Sequence, residues 1–321
     1  MKSKQIFILA AIFALLTIGV FVRQTQKPAE LVTNDMIPLD FSMDPAEVAG
    51  IEIYKSADES SRIELALEED AWVSRTQWGA RADKAKIDSF LEEIAGAKGE
   101  LRGDDKKIFS DFGIRSKESL QIKLTNSAGK VILAFHIGKK VMQSLFVRQD
   151  GEARVFMTEA NLLGLMGIYG NPADSDLIQD FWLDTQIFHF DPEKVTAFNV
   201  WRADLSEPAV TADIKRIDKG DRKQWKFIRE GLPFKIDAAK VKNYLGTLKD
   251  LRARKVLDPD AEGYAFDIPL WKAEVALEEG DGVTILLGPK NEETQSYPVS
   301  VSTDPVVYEL SQYYLESLLI D

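Results

Sequence analysis

Cysteine is absent from the 321 residues, and histidine occurs only twice, as His136 and His189. The first absence excludes a disulfide scaffold, a thiolate zinc site, a cysteine nucleophile and an acylated lipoprotein cysteine. It leaves the redox compartment open, because a cysteine-free chain suits either. The second leaves no His-rich metal centre, since neither imidazole has another near it in sequence. Several catalytic signatures are missing as well. No G-x-S-x-G elbow occurs, and no acidic stretch fits the alternating D-x-D-x-D-G frame of a calcium loop. Gly138-Lys139-Lys140 lacks both the glycine five residues upstream and the hydroxyl after the lysine that a phosphate loop needs. Basic charge is outweighed, with 40 Lys and Arg against 52 Asp and Glu, a net charge of −12. What is present is 45% hydrophobic, with 20 Gly and 12 Pro, a globular composition long enough for one large domain or two ordinary ones.

Charge is unevenly placed. Residues 1–28 carry Lys2, Lys4, Arg23 and Lys27 and no acid, so the rest holds 36 basic against 52 acidic residues, or −16. Such a body repels nucleic acid and anionic headgroups. Between the basic flanks runs IFILAAIFALLTIGVFV, Ile6 to Val22, in which only Thr17 has a polar side chain. At about 1.5 Å per residue the run reaches roughly 25 Å, enough to span with snorkelling flanks. Ile6, Leu9, Ile12, Phe13, Leu16 and Val20 are the expected anchor residues. The run is longer than the ~7–15 apolar residues of a cleaved signal, and Gly19 to Arg23 offers no small-x-small exit, which favours an uncleaved anchor. A short basic N-terminus is easily retained while a long acidic body follows the helix out. The expected location is therefore a bacterial inner (cytoplasmic) membrane, single-pass, with the body on the extracytoplasmic side.

The body repeats itself. Asp44-Pro45-Ala46-Glu47-Val48 and the alternating segment to Tyr54 return 147 residues later as Asp191-Pro192-Glu193-Lys194-Val195 and on to Trp201. Trp72-Val73 answers Trp225-Lys226, and Asp83 to Ile87 answers Asp237 to Val241, each Asp an expected N-cap. The helices that follow share one template. Ile87, Phe90, Leu91, Ile94 and Ala97 have the spacing of Val241, Tyr244, Leu245, Leu248 and Leu251, so each helix buries one stripe. Phe112-Gly113-Ile114 matches Phe266-Asp267-Ile268. Hairpins follow, Leu120–Thr125 with Lys130–Ile137 and Ala273–Leu277 with Val283–Leu287, closed by Gly138 and Gly288. Val155-Phe156 matches Val307-Tyr308 in a further strand pair, and a short C-terminal helix ends each half. The expected fold class is α+β, with an N-terminal transmembrane helix followed by two related strand-rich domains, each an antiparallel sheet covered by one long amphipathic helix. The expected divisions are an anchor over 1–28, a tether over 29–43, a first repeat over 44–170, a joint over 171–190 and a second repeat over 191–321.

This ordered series is an Asp-Pro-x-x-Val strand, a tryptophan strand, an Asp-capped helix, a Phe-Gly-Ile segment, Ile-Gly-Lys and a late Val-Phe. It resembles the bacterial family called domain of unknown function 4340, in two tandem copies. Phe181-Trp182-Leu183-Asp184 through Val195 is similar to that family's inter-repeat joint. The resemblance covers roughly residues 44–320 and is best over Trp72 to Leu165; Leu287-Gly288-Pro289-Lys290 and Phe266-Asp267-Ile268 depart from it. It implies a membrane-anchored accessory role beside ABC-type export or gliding-motility components. It carries no catalytic residue to transfer.

Individual residues add little chemistry. His136 in the apolar strand Val131–Ile137, and His189 between two phenylalanines, read as hydrogen-bonded structural histidines. Acidic clusters at Glu68-Glu69-Asp70, Asp104-Asp105, Asp258-Pro259-Asp260 and Glu278 to Asp281 read as solvated turns. Asp174, Asp176, Asp180 and Asp184 are the best carboxylates for a divalent ion, although no metal site and no cofactor are expected. Trp72 and Trp225 read as core anchors because they recur, whereas Trp78, in Thr76-Gln77-Trp78-Gly79-Ala80, reads as an exposed interface anchor. The leading expectation is a non-enzymatic scaffold or accessory subunit of an envelope complex, associated with an ABC-type transport system. The alternative is an extracytoplasmic binding module for a glycan, lipid or peptide in the groove between the repeats. A hydrolase with paired carboxylates ranks third, because the sequence gives no reason to choose one pair.

Overall fold

The computed structural model describes residues 37–39, 41, 43–55, 58–115, 119–203, 210–219, 222–229, 232–235 and 237–318. The run from Ile6 to Val22, with all six expected anchor residues, lies outside them. Among the described residues no helix is long and apolar enough to cross a membrane.

The first half contains β1 (Ile37–Pro38), β2 (Gly50–Lys55), β3 (Asp58–Glu68), β4 (Ala71–Ser74), β5 (Ala80–Arg81), α1 (Lys84–Gly96), β6 (Lys98–Gly103), β7 (Leu120–Thr125), β8 (Val131–Val141), β9 (Ser144–Gln149) and β10 (Val155–Thr158). Its strands form one ten-stranded sheet in the order β1-β6-β10-β9-β8-β7-β2-β3-β4-β5. The second half contains β11 (Val195–Arg202), β12 (Val210–Lys219), β13 (Arg222–Arg229), β14 (Leu232–Lys235), α2 (Ala238–Asp250), β15 (Lys255–Leu257), β16 (Trp271–Leu277), β17 (Val283–Leu287), β18 (Ser296–Val301) and β19 (Val307–Ser311). These make a nine-stranded sheet, β14-β13-β12-β11-β16-β17-β18-β19-β15. Every strand pairing in both sheets is antiparallel. Read from β15, the second order is the first with β1 removed, so β15 stands where β6 stands, β19 where β10 stands, and so on across the sheet.

Local chemistry is shared as well. The Asp44 and Asp191 carboxylates accept from the backbone N–H two residues on, at 2.9 and 3.0 Å, and each sets a Pro-initiated 3-10 turn before its strand. Asp83 and Asp237 cap α1 and α2 in the same way, and each helix has 13 residues. α1 buries Ile87, Phe90, Leu91 and Ile94, and α2 buries Val241, Tyr244, Leu245 and Leu248. Both stripes follow the period of 3.6 and pack on one sheet face, giving each half its own core.

Four expectations need correction. The first half begins before Asp44: β1 pairs with β6 through Ile37 and Pro38, and Leu39 and Phe41 are buried in the first core. A two-residue edge strand is too short for periodicity to reveal. Gly138 does not close a hairpin, since β8 runs through it to Val141 and turns at Met142. The short helices that end the halves, at Gly164–Met166 and Gln312–Leu318, are 3-10 turns. The Phe-Gly-Ile match is displaced by two residues. A Cβ on Gly138 would lie 2.2 Å from the Phe112 carbonyl oxygen, and one on Gly288 would lie 2.2 Å from that of Tyr264. Tyr264 thus occupies the place of Phe112, and Ile268, 74% exposed, is no counterpart of the fully buried Ile114.

Both glycines admit a backbone that no side chain tolerates. Gly138→Ala and Gly288→Ala are each expected to lower the unfolding free energy by about 1–3 kcal/mol in urea titrations. A neutral result at either position contradicts the close approach.

Candidate functional site

His136 sits on β8 between Phe135 and Ile137, which face the first core, so alternation turns its imidazole to the other face of the sheet. Ser119, just before β7, places Oγ 2.9 Å from His136 Nδ1, and Asp150, just after β9, places Oδ1 3.2 Å from Nε2. The carboxylate fixes the tautomer: Nε2–H donates to Asp150 and Nδ1 accepts from the Ser119 hydroxyl. Serine, histidine and acid thus lie in line, but with the accessibility of a hydrolase triad reversed. Ser119 is 2% exposed, whereas the Asp150 side chain is 64% exposed. A nucleophilic serine has to meet its substrate, with the acid sheltered behind the histidine.

Arg148 lies opposite His136 on β9, buried, its guanidinium 4.7 Å above the Phe109 ring. It donates to the carbonyls of Gln149 and Glu152. Burial, and then the positive charge of Arg148, hold the His136 pKa below its ordinary value, against the opposing pull of Asp150. The hydrogen bond from His136 pulls the Asp150 carboxyl down, and burial lowers the Arg148 pKa. The unfolded histidine therefore takes a proton at a higher pH than the folded one, and protonation favours unfolding. Stability should fall as pH drops below about 6.5. In His136→Asn the slope of melting temperature between about pH 7.5 and pH 5.5 should flatten. An unchanged slope contradicts this assignment.

The joint binds the halves together. Ala82 and Leu183 form an antiparallel bridge, the Asp83 N–H donates to the Trp182 carbonyl at 2.7 Å, and the Asp184 N–H donates to the Arg81 carbonyl at 2.9 Å. Trp182 enters the first core, while Leu183, Ile187, Phe188 and Phe190 enter the second. Ala80, from the first half, packs into the second core. Arg81 Nε reaches Asp304 Oδ1 at 2.8 Å, and that carboxylate, 1% exposed, also accepts from the Tyr308 hydroxyl at 3.1 Å. Burial, then the Asp304 carboxylate, push the Tyr308 pKa far above its ordinary value, so the phenol remains a donor. Nothing in the sequence marks Arg81 and Asp304 as partners, because the two lie 223 positions apart.

Trp78 stands at the rim of this seam. It ends the 3-10 turn Arg75–Gln77 at φ 53°, and it is 42% exposed. The neighbouring Gly79, at φ 77°, would bring a Cβ within 3.6 Å of the Pro305 ring. Trp72 lies in the first core, and Trp225 packs at the edge of the second. The acids of the joint are not gathered. Asp184 caps the Gln186 N–H and lies 4.0 Å from His189 Nδ1, while Asp174 and Asp176 are exposed. Among the described residues no group of three or more His, Asp or Glu could hold a metal ion.

The family described as Domain of unknown function (DUF4340) matches residues 72–269 in a single run, more than half of the chain. The chain belongs to this family. The matched run includes both helices and the joint, beginning at Trp72 on β4 and ending before β16. No curated protein and no solved structure matches the chain.

Proposed function

We propose that this member of the family is a non-enzymatic, single-span protein of the bacterial inner membrane, its body on the extracytoplasmic side. In this reading it acts as a scaffold or accessory subunit of an envelope complex associated with an ABC-type transport system. The body is further proposed to be two tandem copies of one ancestral unit, which the matching strand orders and the paired Asp caps support. The apolar run from Ile6 to Val22 supplies the anchor.

Trp78 carries the reading. A bulky residue in the left-handed region costs about 1 kcal/mol or more, and 42% exposure returns little of that as burial. A strained, half-exposed tryptophan on a fixed support is the expected form of an interface anchor. The seam beneath it provides the support through Arg81 and Asp304. An interface of standard size covers about 800 Å² on each partner, and the acidic body favours partners that are basic or neutral on that side.

Detergent-solubilised full chain should co-purify with other membrane proteins, and Trp78→Ala should reduce that recovery at least ~10-fold. Its melting temperature should change little, because Trp78 contributes little to the core. A clean monomer from wild-type membranes overturns the proposal.

A further inference from the structure

The two halves differ on the sheet faces that their helices leave uncovered. In the first half that face is plugged: Ile108, Phe109 and Phe112, from the segment between β6 and β7, pack on Phe146, Val155 and Met157. The Phe112 and Phe146 rings are 4.3 Å apart. Met157 faces Phe146 on one neighbouring strand and Glu100 on the other. In the second half the same three places hold Glu309, Pro298 and Lys255. The covering segment descends on Gly288 through Tyr264 as its counterpart descends on Gly138, but it has no turn equivalent to Lys106–Ser110 and inserts no apolar plug. What remains is a cleft of about 380 Å³, within the ~300–1,000 Å³ range of ligand sites.

Its chemistry is specific. Glu309, 4% exposed, forms one wall, held by Arg254 at 3.4 Å and Lys255 at 3.2 Å. Thr294 and Ser296 line it with hydroxyls 2.5 Å apart, and Asn291 adds an amide. Lys290 joins them, 3.5 Å from Glu292. Tyr264 forms an aromatic wall, its ring 5.6 Å from that of Phe266. Arg254, Lys255 and Lys290 stand against Glu262, Glu292 and Glu309, so the site has no net charge to offer an ion. Hydroxyl, amide, ammonium and carboxylate groups around an aromatic wall suit a ligand that donates and accepts along its edge and is apolar on its face.

We propose that this cleft in the second half binds the ring of a neutral sugar, with Tyr264 against the ring face and Glu309, Lys255, Lys290 and Asn291 toward its hydroxyls. Among the described residues the corresponding face of the first half offers no such site, because its phenylalanines occupy the space. The proposal is independent of the anchor and of the scaffold reading, and it places the ligand within one half rather than between the two.

Saturation-transfer NMR on the detergent-solubilised full chain tests it with N-acetylglucosamine, methyl α-glucoside and methyl α-mannoside. At least one should show transfer, with a dissociation constant of about 1–10 mM, the range for a ligand of a dozen heavy atoms. Tyr264→Ala should weaken that probe at least ~10-fold, while Tyr264→Phe, which keeps the ring, should bind within ~3-fold of wild type. Lys140→Ala, at the first-half counterpart of Lys290, should leave binding unchanged. Absence of transfer from all three sugars overturns the proposal, as does equal transfer in Tyr264→Ala.

Discussion

Replacing Trp182 with alanine should lower the unfolding free energy by about 3–5 kcal/mol, among the largest single losses available to this chain. Trp182 is fully buried, and its ring meets Phe90 edge-on at 5.4 Å and Phe181 at 5.7 Å. Phe90 lies in the buried stripe of α1, so truncation opens a void between the joint and the helix that seals the first core. Packing around a fixed helix cannot close such a void, and the lost contacts add to the lost burial. The urea midpoint should shift with little change in slope. A loss below about 1 kcal/mol would mean that the joint does not plug the first core.

Asp304→Ala should cost about 2–4 kcal/mol by a different mechanism. The carboxylate is almost wholly enclosed, and its removal leaves the Arg81 guanidinium and the Tyr308 hydroxyl without their acceptor. Arg81 is itself about a third exposed, so water recovers part of its solvation and the cost stays below that of a fully buried ion pair. Because this pair crosses the seam, the loss should also be visible as reduced cooperativity. Calorimetry should show one transition for the wild-type body and a broadened or split transition for Asp304→Ala. A double-mutant cycle with Arg81→Ala should return a coupling of at least about 1 kcal/mol. Strict additivity would show that the bond does not join the halves.

Much of the architecture could be read from the sequence, and the reason differs from element to element. The helices were legible because Asp83 and Asp237 announce them and the apolar spacing at Ile87-Phe90-Leu91-Ile94 recurs at Val241-Tyr244-Leu245-Leu248. The hairpin Leu120–Thr125 was legible because Ile122 and Leu124 alternate with polar residues, and Asn126 to Gly129 supplies a turn. The edge strand at Ile37 was hidden because two residues carry no period. Other features depend on distant partners and leave no local signal. Asp304 looks like any surface-turn aspartate until Arg81 arrives from the other half. Ser119 and Asp150 flank His136 by 17 and 14 residues, and only the pairing of β7, β8 and β9 aligns them. The cleft beside Glu309 was also concealed, because what opens it is a plug that the second half lacks.

The central proposal is an anchored body that offers the Trp78 rim of its seam to other envelope proteins. In-cell photo-crosslinking tests it most directly, with a photoreactive amino acid installed at position 78 of the full-length chain and the membranes then resolved by size and mass spectrometry. The expected result is a discrete adduct with a membrane protein that disappears when the reactive group is moved to the hairpin turn at Asn126, between β7 and β8. Only uncrosslinked monomer in the membrane fraction, or an identical adduct pattern from both positions, would contradict it.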